Sequence, residues 1–181
     1  MNTKIAFVFV LFAALATLAG PSTAQAPSKL EQGWAAYARG DYAKAIKLIQ
    51  PSAEAGDPES QFMIGRIHQY GQGVPKDYAE AVKWYKPSAE AGLSYAQNNL
   101  GVMYKNGWGV KQDNVKAHLW FSLAIESYLD FEQMNVERAR QNKLSVSEKM
   151  TPAEISEAQD LAEAFVPKPS PFGASTLLLA R

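Results

Sequence analysis

The chain repeats itself at an offset of 36 residues, and this restricts the folds open to it more than any other feature. Residues 57–92 and residues 93–128 align without a gap and share nine identities. The same offset aligns residues 41–56 with residues 77–92 at 11 of 16 positions. A period of this size indicates stacked supersecondary units, none of which can bury its apolar face alone. The nine identical pairs are Gln61/Gln97, Gly65/Gly101, Gly71/Gly107, Gly73/Gly109, Val74/Val110, Asp77/Asp113, Ala81/Ala117, Trp84/Trp120 and Glu90/Glu126.

Each unit has the pattern of a helical hairpin. In the unit 57–92, Asp57 is placed to cap a first helix, and Pro58 follows at the position where a missing N–H costs nothing. Asp77 is placed to cap a second helix, with Glu80 three residues on, which predicts a capping box. The helical spacing predicts that Ser60, Ile64, Ile67, His68, Ala81, Trp84, Tyr85 and Ser88 face inward.

A glycine-rich loop separates the two helices of each unit and reads GQGVPKD at residues 71–77 and GWGVKQD at residues 107–113. A phosphate-binding loop follows a strand and opens a helix, whereas this loop closes a helix and no strand pattern precedes it. We therefore predict that Gly71 and Gly73 adopt left-handed or closely packed backbone positions. Val74 is expected to pack between hairpins.

The pattern A-Q-x-x-L-G-x-x-Y-x-x-G-x-G-V-x-x-D-x-x-x-A-x-x-W, which runs from Ala96 and recurs with variations from Ser60, resembles the Sel-one-like repeat, a relative of the tetratricopeptide repeat. The resemblance covers residues 57–127. His68 replaces the usual Tyr, and Ser60 the usual Ala. Gly33–Ile46 is more similar to an ordinary tetratricopeptide unit. The resemblance implies an all-α fold, an α-solenoid of helix-turn-helix repeats with a C-terminal helical cap.

The remaining segments complete the predicted organisation. Thr151, Pro152 and Glu154 predict a capped helix that carries an apolar stripe, and a solenoid needs such an end to cover its last face. Pro and Gly interrupt the sequence after Val166. The predicted segments are a signal peptide at 1–26, a tetratricopeptide-like or half repeat at 27–56, repeats at 57–92 and 93–127, a helical extension at 128–166 and a disordered tail at 167–181.

The first 26 residues have the pattern of a secretory signal peptide. Lys4 precedes a continuous apolar run of 16 residues, and Ala24-Gln25-Ala26 offers a small-residue cleavage site. The alternative is an uncleaved anchor, but the run is shorter than the roughly 20 residues that a spanning helix needs. We expect an exported protein, periplasmic or secreted, that has no membrane segment after cleavage. The chain contains no Cys, so its fold cannot depend on disulfides.

Composition and motifs argue against several classes of function. The chain carries 18 basic and 18 acidic residues without a basic run, so nucleic acid is not an expected partner. The two histidines, His68 and His118, occupy nonequivalent positions, and no metal-binding spacing is present. The sequence has no nucleophile elbow. We therefore expect no catalytic residue, metal or cofactor, and we expect Trp84 and Trp120 to belong to the core.

By the tetratricopeptide-type layout that the resemblance implies, the first helices line a concave face. Residues at outward positions on this face combine aromatic, guanidinium and amide side chains, a composition that favours an extended peptide. The candidate peptide-binding residues are Trp34, Tyr37, Phe62, Arg66, Gln69, Asn98, Val102 and Lys105.

The favoured function is an adaptor or scaffold that binds an unidentified protein or peptide partner in this concave groove. Two alternatives stay open. Some exported members of the same family are described as penicillin-binding or β-lactamase-like, which would make this chain a β-lactamase-like or cell-wall-ligand-binding repeat protein. Those members are rich in cysteine, and this chain has none. The chain could also be a structural subunit of an envelope complex, with the apolar TLLLAR segment at residues 176–181 as its docking element.

Overall fold

The computed structural model describes residues 27–128 and 132–172, which form eight α-helices joined by turns and short loops, with no strand within these ranges. The predicted signal peptide and the TLLLAR segment lie outside the described residues. The all-α prediction is confirmed. The helices are α1 Lys29–Ala38, α2 Tyr42–Glu54, α3 Pro58–Tyr70, α4 Tyr78–Glu90, α5 Ser94–Asn106, α6 Asn114–Ser127, α7 Gln133–Ser147 and α8 Pro152–Glu163.

The first six helices form three hairpins, α1–α2, α3–α4 and α5–α6, and each hairpin packs against the next one along the chain. This arrangement buries the apolar faces of the helices between successive hairpins rather than in one central core. Ile49 and Ile67 belong to the core between the first two hairpins, and Tyr85 and Leu100 to the core between the second and third. The structure is therefore the predicted α-solenoid.

Aspartates begin the second helix of each hairpin, as the sequence predicts. The side chain of Asp77 accepts a hydrogen bond from the backbone N–H three residues on, and Asp113 does the same. The predicted capping box at Asp77 is half formed, because Glu80 does not return the bond to the Asp77 backbone. Instead, the Glu80 carboxylate accepts from the indole N–H of Trp84 at 2.9 Å and from Lys83 at 3.0 Å. The half-buried Trp84 thus finds a partner for its polar atom.

The glycine loops are structural, as predicted. Gly71 ends α3 in the left-handed conformation, with φ of 66°. Gly73 packs so closely on the preceding hairpin that a Cβ there would lie 2.8 Å from the Cβ of Tyr42. Its counterpart Gly109 would place a Cβ against the backbone of Tyr78. Each loop therefore packs against the start of the second helix of the preceding hairpin, where a side chain on the glycine would not fit.

The last two helices cover the end of the solenoid. Helix α7 packs against α6 and also reaches α5, while α8 packs against α6. The predicted capping box at the start of α8 is present, with Thr151 and Glu154 bonded in both directions. Trp120 on α6 is buried and contacts the ring of Phe165 edge to face at 5.7 Å, just after α8 ends. The predicted C-terminal helical cap is therefore formed by α7 and α8.

Residues 166–172, which we call the strap, return along the solenoid after α8. The backbone N–H of Lys168 donates to the carbonyl of Glu90 at 2.8 Å, and its ammonium pairs with the Glu90 carboxylate at 2.7 Å. The Ser170 hydroxyl donates to the carbonyl of Gly56 at 3.2 Å. Glu90 and Gly56 belong to the two copies of the PSAEAG motif. The disordered tail predicted from residue 167 is therefore wrong for residues 167–172, since helix-end carbonyls hold this segment.

Candidate functional site

The first helices of the three hairpins and α7 border a groove made of two adjoining cavities, of about 360 Å³ and about 200 Å³. The cavities share Phe62, Arg66 and Tyr95, so they form one continuous depression across α3 and α5. The apolar cavity is lined by Trp34, Glu59, Phe62, Arg66, Leu93 and Tyr95. The polar cavity is lined by Phe62, Arg66, Tyr70, Tyr95, Asn98, Asn99, Tyr128, Asn135 and Arg138.

Aromatic rings form the wall of the apolar cavity. Phe62 on α3 and Tyr95 on α5 lie with their ring centres 5.8 Å apart, so the two hairpins meet through a ring contact. Trp34 on α1 also lines this cavity, and it packs edge to face on Tyr37 at 5.9 Å. Aromatic pairs at this separation are favourable beyond the area they bury. The cavity therefore has rigid apolar walls suited to an apolar side chain.

Arg66 lies at the junction of the two cavities. Its guanidinium carbon is 5.3 Å from the ring centre of Tyr37 and 5.7 Å from that of Phe62. A guanidinium held over aromatic faces is stabilised by the ring quadrupole and keeps its N–H groups available for other partners. Among the described residues, Arg66 forms no ion pair.

A hydrogen-bonded tyrosine, Tyr95, lines both cavities of the groove. The Tyr95 hydroxyl donates to the Glu132 carboxylate and accepts from the side-chain amide of Asn135 at 3.3 Å. Burial, together with the Glu132 carboxylate, raises the pKa of Tyr95 to about 12. Burial likewise raises the pKa of Tyr128, whose ring meets that of Tyr95 edge to face at 5.4 Å. Both hydroxyls are therefore neutral at physiological pH and cannot act as bases.

The predicted site residues divide into two groups. Trp34, Phe62, Arg66 and Asn98 line the groove, and Tyr37 supports it through the Trp34 and Arg66 contacts. The outward placement predicted for the other three residues, Gln69, Val102 and Lys105, is wrong, because each contacts another part of the solenoid.

Gln69 is buried because its side-chain carbonyl accepts a hydrogen bond from the Tyr85 hydroxyl at 2.5 Å. Val102 packs against a core cluster that includes Val146 of α7. Lys105 donates to the side-chain carbonyl of Asn142, also on α7, at 3.2 Å. Helix α7 therefore covers the part of the face that a longer solenoid would leave open.

Sequence reasoning missed several lining residues. Tyr95 and Asn99 lie one turn before and one residue after Asn98, so the helical register of α5 could have indicated them. Asn135 and Arg138 come from α7, which lies beyond the repeats and carries no periodic signal that would place it over the groove. The missed residues are Glu59, Tyr70, Leu93, Tyr95, Asn99, Tyr128, Asn135 and Arg138.

No histidine, cysteine or serine is among the described residues that line the groove. In the part of the chain that the structure describes, no group of three or more His, Cys, Asp or Glu side chains could hold a metal ion. His68 on α3 and His118 on α6 occupy different hairpins, and neither lines the groove.

No helix within residues 27–128 and 132–172 is long and apolar enough to cross a membrane.

The hairpins, the glycine loops and the helical cap define the protein as an α-solenoid of short helical repeats. The family model of the Sel1 repeat matches residues 30–57, 58–93 and 94–128, and the chain belongs to the Sel1 repeat family. The first of these matches shows that the unit predicted to be closer to a tetratricopeptide repeat is also a Sel1 repeat. Sel1 repeats typically mediate protein–protein interactions, and their fold is a non-catalytic scaffold.

Two solved structures illustrate the resemblance. The first is that of c5321, described as a protective antigen present in uropathogenic Escherichia coli strains and displaying an SLR fold. Its sequence is 28% identical to this chain, and the TM-score is 0.68. The match covers 84% of this chain and 32% of that protein. This chain thus spans about a third of that protein's length. The second, a Sel1 repeat protein from Oxalobacter formigenes, is 30% identical with a TM-score of 0.52 and covers 61% of this chain and 86% of that one. A comparison with curated proteins finds no match.

Proposed function

We propose that the protein is an exported adaptor that binds an extended peptide segment of a partner protein in the groove. The observation that carries the proposal is the junction at Arg66, where a guanidinium lies between an apolar and a polar cavity. Aromatic and arginine side chains dominate the binding energy of protein interfaces. A groove of this composition is suited to a segment with one apolar anchor and polar groups beside it.

The groove is short, because only three repeats border it and α7 closes one end. A flexible peptide loses conformational freedom when it binds, and a short groove offers few contacts to offset this cost. We therefore expect single peptides to bind weakly, and partners with a second contact elsewhere on the solenoid to bind more tightly.

A random decapeptide library displayed on phage tests the proposal with the purified chain. Recovered peptides are remade with a fluorescent label, and their affinities are measured by fluorescence anisotropy. The double variant Trp34→Ala/Arg66→Ala should weaken binding about tenfold or more, since two groove contacts are lost. The matched control is Trp108→Ala/Arg140→Ala, which removes one tryptophan and one arginine that line neither cavity.

Binding that the two double variants leave equally strong would show that the peptides bind outside the groove. Failure to recover any binding peptide would also contradict the proposed function. Circular dichroism of each variant separates lost contacts from lost helical structure.

Export is the second part of the proposal and is supported by the sequence of residues 1–26. When the whole chain is produced in a bacterium, N-terminal sequencing of the protein from the cell envelope or the medium should give Pro27 as the first residue. A cytoplasmic protein that still begins at Met1 would contradict this part without affecting the groove.

A further inference from the structure

We propose that the polar cavity binds a carboxylate of the peptide between Arg66 and Arg138, while the side-chain carbonyl of Asn98 accepts a neighbouring N–H of the ligand. The proposal rests on the proposed function and names the ligand chemistry that the groove selects. The apolar side chain next to this carboxylate then occupies the cavity beside Trp34.

Asn98 provides the first argument. Asn98 is 9% exposed and lines the polar cavity, yet its side-chain oxygen has no hydrogen-bond partner among the described residues. A buried acceptor without a partner costs roughly 1–3 kcal/mol, and native structures keep few of them. A ligand N–H that reached this oxygen would supply the missing bond.

The next residue of α5, Asn99, already has a hydrogen-bond partner within the protein. The side-chain amide of Asn99 donates to the Tyr85 hydroxyl at 3.1 Å, and that hydroxyl donates in turn to Gln69. Burial raises the pKa of Tyr85 further above its ordinary value, so this hydroxyl keeps its proton. The network beneath the cavity is therefore satisfied within the protein, and Asn98 is left to the ligand.

The two arginines provide the second argument. Arg66 and Arg138 line the same cavity from α3 and α7, and neither forms an ion pair with a described carboxylate. Glu132 does accept a bond from Tyr95, but it does not line the cavity. Glu59 lines the adjoining apolar cavity with Arg66, but no described carboxylate lines the polar cavity. Two guanidiniums at one cavity attract an anion, and their planar donors match the two oxygens of a carboxylate.

The arrangement also restricts what lies next to the carboxylate. The polar and apolar cavities meet at Phe62, Arg66 and Tyr95, so one extended segment can place adjacent groups in both. We therefore expect the preferred ligand to carry a large apolar residue, such as Leu or Phe, next to its carboxylate. The carboxylate can belong to an Asp or Glu side chain or to a free C-terminus.

Peptides recovered from the library test this inference. Each is synthesised in three forms: unchanged, with its C-terminus amidated, and with its Asp and Glu residues replaced by Asn and Gln. One of the two neutral forms should bind about tenfold more weakly, because charge-assisted hydrogen bonds are lost, and which form it is identifies the source of the carboxylate.

Variants of the full chain locate the contact. Arg138→Gln should weaken the charged peptide about tenfold and leave the neutral form unchanged, whereas the matched Arg140→Gln on the same helix should alter neither. Asn98→Leu, which keeps a similar volume and removes the acceptor, should weaken both forms to the same extent. A salt titration should weaken the charged peptide more than the neutral one.

The outcomes separate this inference from the proposed function. If the peptides lose affinity in Trp34→Ala/Arg66→Ala but bind equally well with and without their carboxylates, the groove binds peptides and the carboxylate assignment is wrong. Equal effects of Arg138→Gln and Arg140→Gln would also contradict it. Binding unaffected by the groove double variant would instead contradict the proposed function.

Discussion

Gly101 lies where α5 crosses α6, and the ring of Phe121 fills the space that a side chain would need. A Cβ at this position would lie 2.7 Å from the Cε1 of Phe121, which is fully buried. In the preceding hairpin, a Cβ at Gly65 would lie 2.6 Å from the Cε1 of Tyr85, so each of these crossings uses a glycine to bring two helices together. Glycine thus recurs at positions 65 and 101 because an aromatic ring of the second helix occupies the space that a side chain would need.

We predict that Gly101→Ala destabilises the protein by about 1–3 kcal/mol, the usual cost of overpacking a core. The clash should outweigh the gain of about 1 kcal/mol that Ala has over Gly within a helix. Chemical denaturation measures the change. The second substitution Phe121→Leu should relieve the clash, so the double variant should lose less than the sum of the single losses. Additive losses, or a more stable Gly101→Ala protein, would contradict this account of the crossing.

His118 carries a pH-dependent term in the free energy of unfolding. The side chain is 2% exposed, and its Nδ1 has no partner among the described residues. Burial, with a smaller contribution from the Lys143 charge, lowers the pKa of His118 from 6.5 to about 4. Between these two values the unfolded chain binds a proton that the folded chain does not bind, so stability falls as the pH falls.

The predicted loss from His118 is about 2–3 kcal/mol between pH 6.5 and pH 4, and its contribution becomes constant well below pH 4. Urea denaturation at a series of pH values measures it. The variant His118→Val copies Val82, the residue at the equivalent position of the preceding repeat, and should reduce the slope by one proton. The control His68→Val leaves His118 in place and should keep that part of the slope. A slope that His118→Val does not change would assign the proton to another group.

At the scale of a helix, the attachment of α8 depends on few side chains. Ala158 is the fully buried residue of this helix, and Phe165 packs on Trp120 just beyond its end. Most other side chains of α8 are exposed, so the helix has a narrow contact surface. Its docking therefore relies mainly on Ala158, Ala162 and the Phe165 ring.

We predict that Phe165→Ala lowers the free energy of unfolding by about 2 kcal/mol, less than the 3–5 kcal/mol of a fully buried Phe, because the ring is half-buried. Amide hydrogen exchange should speed up in α8, while α3 and α4 keep their protection. The control Phe172→Ala removes an exposed ring and should change little. Exchange that rises equally in all helices would show that α8 does not detach on its own.

The helices were predictable because their signals are local and repeated. Asp77 and Asp113 cap helices in a way that the sequence states directly, and the recurring glycines mark the loop conformation. The capping box at Asp77 failed because Glu80 had a competing partner in the Trp84 indole, a choice that depends on the folded arrangement. Local signals identify which side chains can bond but do not identify which partner is chosen.

The groove was predictable only where the repeat register decides it. Trp34 and Arg66 follow the equivalent glycines Gly33 and Gly65, and both line the groove. Gln69 follows the same register yet is buried, since the Tyr85 hydroxyl binds it and the equivalent Ile49 and Phe121 have no hydroxyl. The α7 residues that line the groove could not be predicted, because α7 lies outside the repeats and no equivalent helix indicates its position.

At the scale of the whole molecule, most contacts join neighbouring helices, so the solenoid should lose stability from an end rather than all at once. The strap is the exception, because it connects the end of α8 to the turns after α4 and α2. Its ion pair is weak, since the Lys168 side chain is 71% exposed and surface pairs contribute about 0–1 kcal/mol. The strap should therefore add little to the free energy of unfolding and should instead limit how far local unfolding spreads along the solenoid.

The variant Ile49→Ala tests this architecture. Ile49 is fully buried in the first hairpin, and its removal should cost about 2–5 kcal/mol. Because the first hairpin packs against one other described hairpin, hydrogen exchange should accelerate in α1 and α2 while α5 and α6 stay protected. Phe121→Ala changes the equivalent position of the third hairpin, which is flanked on both sides. This variant should accelerate hydrogen exchange in α5, α6, α7 and α8 together.

The strap is tested by adding Lys168→Ala and Ser170→Ala to Ile49→Ala. The triple variant should raise hydrogen exchange at the Gly56 turn and at the start of α3, because the strap no longer holds that turn. If the triple variant exchanges like Ile49→Ala alone, the strap does not couple the two ends of the solenoid.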